Sequence, residues 1–227
     1  MIDYTGSSEP VLIASGKSTL TGVLELPPKS SGVVLYTRDS RARQQSPGSI
    51  YFVNELRRTG LASLRLEPPG PDKHGGDANR FDLAQLGSRL GAAIDWLAAE
   101  AETRMLAFGL FGTGSEAAAA LRLAALRPAQ IAAVVARGGR PDLAGPDTLT
   151  RVCAPTLLIV GEDDRSVIEC NRLALNQLGC EKDLAVIRGA TYPLAQPGAL
   201  QEAARLAARW FKGYLGGEAG LSISPRG

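Results

Sequence analysis

The segment Leu106–Leu121 reads L-A-F-G-L-F-G-T-G-S-E-A-A-A-A-L. An apolar run enters a tight glycine turn, and an alanine-rich stretch follows at once. A strand–turn–helix of this kind presents one side chain at its apex, and a hydroxyl placed there serves as an attacking nucleophile. The five positions of the turn are Gly112, Thr113, Gly114, Ser115 and Glu116, so the apex is glycine and carries no attacking group. Glycine adopts the positive φ of such an apex at least cost, so the turn survives without the hydroxyl. Ser115 is the rival nucleophile. It sits one residue late, at the start of the helix, where a serine ordinarily caps backbone N–H groups.

Other candidates lie elsewhere in the chain. Asp164 follows Glu162 and Asp163 in an acidic turn. It can orient a catalytic partner or a ligand, or it can be solvated or cap the helix that follows. Tyr192 has an ordinary pKa near 10 and is a poor base at neutral pH. It can act as a general acid or donate a hydrogen bond to a ligand carbonyl, or it can simply fill space. The single histidine, His74, lies in a Pro- and Gly-rich loop, Pro68–Gly76, and reads as a loop histidine rather than a base. Arg38, Asp39, Arg41 and Arg43 crowd one short turn after Thr37. Guanidinium groups there can grip a carboxylate or phosphate through paired hydrogen bonds, or stand solvated without special purpose. Arg137 and Arg140 read as structural salt-bridge partners.

The elements that must position these residues alternate strand and helix. Val11–Ala14 and Leu20–Leu26 form an antiparallel hairpin around Gly16 and Lys17. Strands follow at Gly32–Thr37, Leu61–Leu66, Met105–Phe111, Ile131–Ala136, Pro155–Gly161 and Asp183–Arg188. Their apolar runs bounded by turn residues suit buried strands. Helices are expected at Tyr51–Arg58, Phe81–Ala101, Ser115–Leu126, Ser166–Leu178 and Pro197–Tyr214. The second carries Leu83, Leu86, Leu90, Ala93, Ile94 and Leu97 at helical spacing, which buries one face. This alternation predicts an α/β fold, a mostly parallel sheet with helices on both faces. One domain over residues 1–215 is expected, with a flexible tail over 216–227.

Composition excludes several classes. The chain has 227 residues, 44% hydrophobic and 21% charged, with a formal net charge of +2. That charge is too small to imply nucleic acid or a membrane surface. No run of 18 apolar residues calls for a membrane span, and Met1–Pro10 lacks the apolar core of a secretory signal. Cys153, Cys170 and Cys180 are odd in number and lack metal-ligand spacing, so reduced, buried thiols in a cytoplasmic protein are expected. No metal or cofactor is called for.

From about Gly32 to Leu215 the chain resembles the dienelactone-hydrolase-like branch of the α/β-hydrolase superfamily. The resemblance rests on several segments in order: Arg80-Phe81-Asp82 with Ala93–Leu97, Phe111-Gly112 before the alanine-rich helix, Ala136–Leu143, Pro155–Gly161 before the acidic turn, and Gly189-Ala190-Thr191 before Pro197–Leu200. It implies an α/β-hydrolase-like fold and a nucleophile–acid–histidine triad in that chain order. Carried over position by position, the nucleophile falls on Gly114, the acid on Asp164 and the histidine on Tyr192. A glycine-rich turn supplies oxyanion donors in relatives; its glycine positions fall here on Asp39 and Arg41, and a carboxylate near an oxyanion opposes the developing charge.

The expected function is therefore a catalytically degenerate homologue. It would bind a small anionic or polar ligand, or a protein partner, through Arg38, Asp39, Arg41, Arg43, Gly114 and Tyr192. The alternatives are an isomerase, cyclase or lyase using Asp164 and Tyr192 as acid–base groups, and a residual serine hydrolase using Ser115. The oligomeric state is left open.

Overall fold

A computed structural model describes residues 6–37, 47–67, 82–194 and 196–217. Eight strands form one sheet in the order β1-β2-β4-β3-β5-β6-β7-β8. β1 (Ser7–Ser15) and β2 (Ser18–Leu26) make an antiparallel hairpin, and β2 runs antiparallel to β4 (Ala62–Leu66). The rest is parallel: β3 (Gly32–Thr37), β5 (Ala107–Thr113), β6 (Ile131–Arg137), β7 (Thr156–Gly161) and β8 (Lys182–Ile187). The expected α/β fold is what the chain adopts.

Side-chain alternation along the central strands sends apolar groups to both faces. On one face, Val33, Leu35 and Leu110 pack against α2 (Leu83–Ala99) and α3 (Glu116–Leu126). On the other, Val34, Tyr36, Phe111 and Val135 pack against α1 (Pro47–Arg58) and α6 (Ala199–Leu215). Helix α6 seats closely because β5 has glycine at 109; a methyl group there would lie 2.6 Å from the Phe211 ring. Burial of the expected stripe on α2 is confirmed at Leu90, Ala93, Ile94 and Leu97. Asp82 caps that helix by accepting from the amides of Ala84 and Gln85.

Element edges moved by a few residues, most at β1, which gains four residues before Val11 through pairing with β2. Two short helical segments were not foreseen, a 3-10 turn at Pro141–Ala144 and α4 at Pro146–Leu149. Each begins with proline, whose fixed φ suits a first helical position. α5 (Arg165–Gln177) completes the set. The expected buried thiols are corrected: Cys153 is exposed and Cys170 and Cys180 are half-buried, all unpaired. Among the described residues, no helix is long and apolar enough to cross a membrane, and no group of three metal-binding side chains gathers.

Tyr36 gives the fold a pH signature. The residue is 2% exposed, and its buried hydroxyl lies near Arg65 without a well-formed hydrogen bond among the described residues. Burial pushes its pKa well above the ordinary 10, with Glu25 and Glu67 adding to the rise and Arg65 opposing it. The folded phenol thus holds its proton more tightly than the unfolded one. Its contribution is fully present below about pH 10 and is lost as pH rises further, because the unfolded chain ionises first. Tyr214 behaves alike, raised by burial and then by Glu181. Denaturant titrations should show stability flat up to about pH 9 and falling beyond about pH 10. Tyr36→Phe should make that fall shallower and leave neutral-pH stability unchanged or higher, since it removes an unsatisfied buried hydroxyl. An unchanged slope above pH 10 would refute the assignment.

Candidate functional site

The turn after β5 has the geometry its sequence predicts. Gly114 sits at φ +57°, directly between β5 and α3. A Cβ built on it would meet no described residue within 4 Å. The turn is tight beneath: a methyl group on Gly112 would lie 2.7 Å from the backbone of Ala117. The strained apex is thus kept, and no side chain occupies it.

Ser115 does not act as the expected cap. Its backbone is already helical, at φ −70° and ψ −22°, and its side chain makes no capping bond. Helical geometry directs it along the helix start rather than along the apex position of Gly114. Next to it, Glu116 accepts from the Thr113 hydroxyl at 3.3 Å. Glu116 also faces Arg89, whose half-buried guanidinium is lowered in pKa by desolvation while Glu116 opposes the shift. Arg89 donates to the carbonyl of Glu67 at 2.7 Å, which ties α2 to the end of β4 beside the turn.

The end of β6 supplies the floor. Consecutive Gly138 and Gly139 touch the two halves of the site. A methyl on Gly138 would lie 2.3 Å from Cδ2 of Tyr192, and one on Gly139 would lie 3.1 Å from the carbonyl of Gly114. The tyrosine ring therefore packs on backbone next to the apex. Gly138 itself has φ +55°, a conformation that suits glycine. The amide of Arg140 donates to the Gly114 carbonyl at 3.0 Å, and buried Asn171 donates to the Gly139 carbonyl at 3.0 Å. These bonds tie α5, the β6 end and the apex into one rigid unit.

Asp164 stands at the start of α5 but does not cap it through its side chain. Its Oδ2 instead accepts from the backbone amide of Tyr192 at 2.5 Å. Asp164 and Tyr192 are thus adjacent. The bond that joins them runs from the Tyr192 amide to the Asp164 carboxylate. Beside this bond, the Asp163 amide donates to Ala190 at 3.1 Å, and Glu162 accepts from the Gly189 amide at 2.8 Å. The acidic turn is a clamp on the loop that carries Tyr192.

Arg140 is the expected ion-pair partner, bound to Asp142 through two hydrogen bonds of 2.9 and 2.8 Å. Arg137 adds a contact that the sequence did not suggest. Its guanidinium lies 5.6 Å from the centre of the Phe111 ring, which stacks in turn on Phe52 at 4.1 Å. In register, Arg137 pairs with Thr113, one residue before the apex. Its place beside the site depends on that strand pairing, and only the A-R-G-G-R-P run hinted at it. Arg38, Asp39, Arg41, Arg43 and His74 lie outside the described residues. β3, which ends at Thr37, neighbours β5 in the sheet.

The apex residue is Gly114, which carries no hydroxyl or thiol, and Tyr192 rather than an imidazole packs beside it among the described residues. No protein-family model matches the chain. Among solved structures, a dienelactone hydrolase from Anabaena variabilis superposes with a TM-score of 0.87 at 40% identity, covering 93% of this chain and 100% of that one. The esterase domain of a Rhodothermus marinus protein superposes with a TM-score of 0.74 at 17% identity, over 92% of this chain and 100% of that one, which speaks for the fold alone. Curated proteins from two Mycobacterium tuberculosis strains, provisionally named phosphoribosyl transferases, are 39% identical over 209 residues, covering 92% of this chain and 47% of theirs. The chain spans about half the length of the curated relatives it matches.

Proposed function

The chain belongs to the dienelactone-hydrolase-like family of the α/β-hydrolase superfamily, and we propose that it is a catalytically degenerate member that binds a small anionic or polar ligand in place of hydrolysing one. The observation that carries this reading is Gly114: the elbow keeps its φ of +57°, and a Cβ there would meet no described residue within 4 Å, yet the position holds no nucleophile. Three further features support it. Tyr192 stands at the histidine position and packs on Gly138. The Asp164 carboxylate accepts from the Tyr192 amide, which holds residue 192 in place beside it without an imidazole to orient. The segment that leaves β3 is rich in arginine where oxyanion glycines would be.

The ligand class follows from that segment. Arg38, Arg41 and Arg43 favour a carboxylate or phosphate, since a guanidinium fork matches both. A site walled by Gly114, Gly138 and the Tyr192 ring offers the ligand backbone and an aromatic edge. The transferase name of the mycobacterial relatives is not extended to this chain, because it belongs to proteins of which this chain spans about half.

Calorimetric titration of acetate, succinate and inorganic phosphate into wild type and Arg38→Ala/Arg41→Ala tests the reading. Binding should weaken as salt is raised and should fall about tenfold or more in the double variant. No heat with any of these anions in wild type would overturn the anion reading and leave a protein partner as the better account of the remodelled mouth.

A further inference from the structure

A second concave surface lies outside the elbow. α1, α6 and the segment that joins β8 to α6 enclose a crevice of about 750 Å³. A space of that size suits a small molecule. Its charged lining is Arg58, Arg188, Arg205 and Arg209 against Glu55 and Glu202. Arg58 pairs with Glu55 at 3.0 Å, and these two cancel. Arg188, Arg205 and Arg209 form no ion pair among the described residues. Three uncompensated guanidinium groups thus face the space with one carboxylate.

Their placement concentrates positive charge although each side chain is exposed. Arg205 and Arg209 are four residues apart on α6 and stand one above the other, where like charges oppose each other. Arg188 comes from the end of β8, so the positive charge converges from two elements onto one depression. Its floor is apolar and buried, made by Ile187, Ala199 and Ala208. A Cβ on Gly189 or Gly198 would meet no described residue within 4 Å.

We propose that this crevice is a binding site for a small phosphate-bearing anion that carries more than one negative charge. All three arginines are exposed, so each alone would be screened by solvent and salt. A single carboxylate would therefore gain little here. A compact, multiply charged group can bridge several guanidinium forks at once, which is the case in which such contacts add up.

The crevice is separate from the elbow, and none of Gly114, Asp164 and Tyr192 lines it. It borders the same loop, however. Gly189 and Gln196 both line it, Tyr192 lies between them, and Gln196 donates to the Thr191 hydroxyl at 2.8 Å.

The test is calorimetry on the whole protein with pyrophosphate and with inorganic phosphate, at low and at physiological ionic strength. Wild type, Arg205→Ala/Arg209→Ala, Arg205→Lys/Arg209→Lys and Arg38→Ala/Arg41→Ala are compared. Pyrophosphate should bind more tightly than phosphate, and more weakly as salt rises. The alanine pair should lose about tenfold or more, the lysine pair less, and the Arg38/Arg41 pair should keep this binding. Because Arg205 and Arg209 are exposed, the helix should persist in both α6 variants, which circular dichroism checks; Arg188→Ala gives an independent arm with the same expected loss. The proposal is overturned by absence of pyrophosphate binding in wild type at millimolar concentration. It is equally overturned if binding survives both Arg205→Ala/Arg209→Ala and Arg188→Ala. Loss confined to the Arg38/Arg41 variant would assign the anion to the elbow mouth instead and refute this site.

Discussion

Purified wild-type protein is expected to leave small activated esters and dienelactones at the background rate of hydrolysis. Removal of one member of a serine triad typically lowers kcat by about 10⁴-fold or more. Here the apex residue is Gly114 and the histidine position is Tyr192, so two members are absent together. Ser115 is a poor substitute, since it already has helical backbone geometry one residue beyond the apex. Ester turnover measured with wild type, Ser115→Ala and Asp164→Ala decides among the readings. Turnover abolished by Ser115→Ala would promote the shifted nucleophile. Turnover that survives Ser115→Ala but disappears with Asp164→Ala would point to attack by water. Either result ends the degenerate reading.

The second large effect concerns repair. Gly114→Ser/Tyr192→His should fold and should remain a weak hydrolase. The serine has room as far as the described residues go, since none of them lies within 4 Å of its Cβ. It must accept the φ of +57°, at a cost of about 1–3 kcal/mol, which lowers Tm by on the order of 5 °C in a chain of this size. Histidine at 192 is smaller than tyrosine, so the contact with Gly138 is relieved rather than tightened. The Asp164 bond to the backbone amide of residue 192 does not depend on the side chain and should persist. The triad is then complete in residue types. On the proposed reading, the segment after Thr37 still carries Asp39 and Arg41 at the positions where relatives have oxyanion glycines. One oxyanion donor is worth on the order of 3 kcal/mol, or about a hundredfold in kcat. Steady-state kcat for an activated ester should accordingly stay about a hundredfold or more below that of the Anabaena variabilis relative assayed alongside. A double variant that matches the relative would show that the segment after Thr37 still supplies its donors.

The sequence by itself determined the class of fold and the identity of the apex. Apolar runs such as Gly32–Thr37 are bounded so sharply by turn residues that the strand could be read to the residue. Glycine at 114 and its neighbours announced an elbow without a nucleophile, because backbone conformation and hydroxyl chemistry are both local properties. The short helical segments at Pro141 and Pro146 escaped because four residues hold too little periodicity to be seen.

Tertiary structure alone decided how the side chains are used. Asp164 could be read as an orienting acid, a cap or a solvated charge; it clamps the amide of a residue 28 positions away. Arg137 reaches the elbow only because β6 pairs with β5. Arg58, Arg188 and Arg205 surround one crevice only because α6 folds back onto the sheet beside α1. Periodicity fixes which face of an element is buried. Which distant faces then meet depends on strand order and loop path, and these follow from the packing of the whole chain rather than from any window of it.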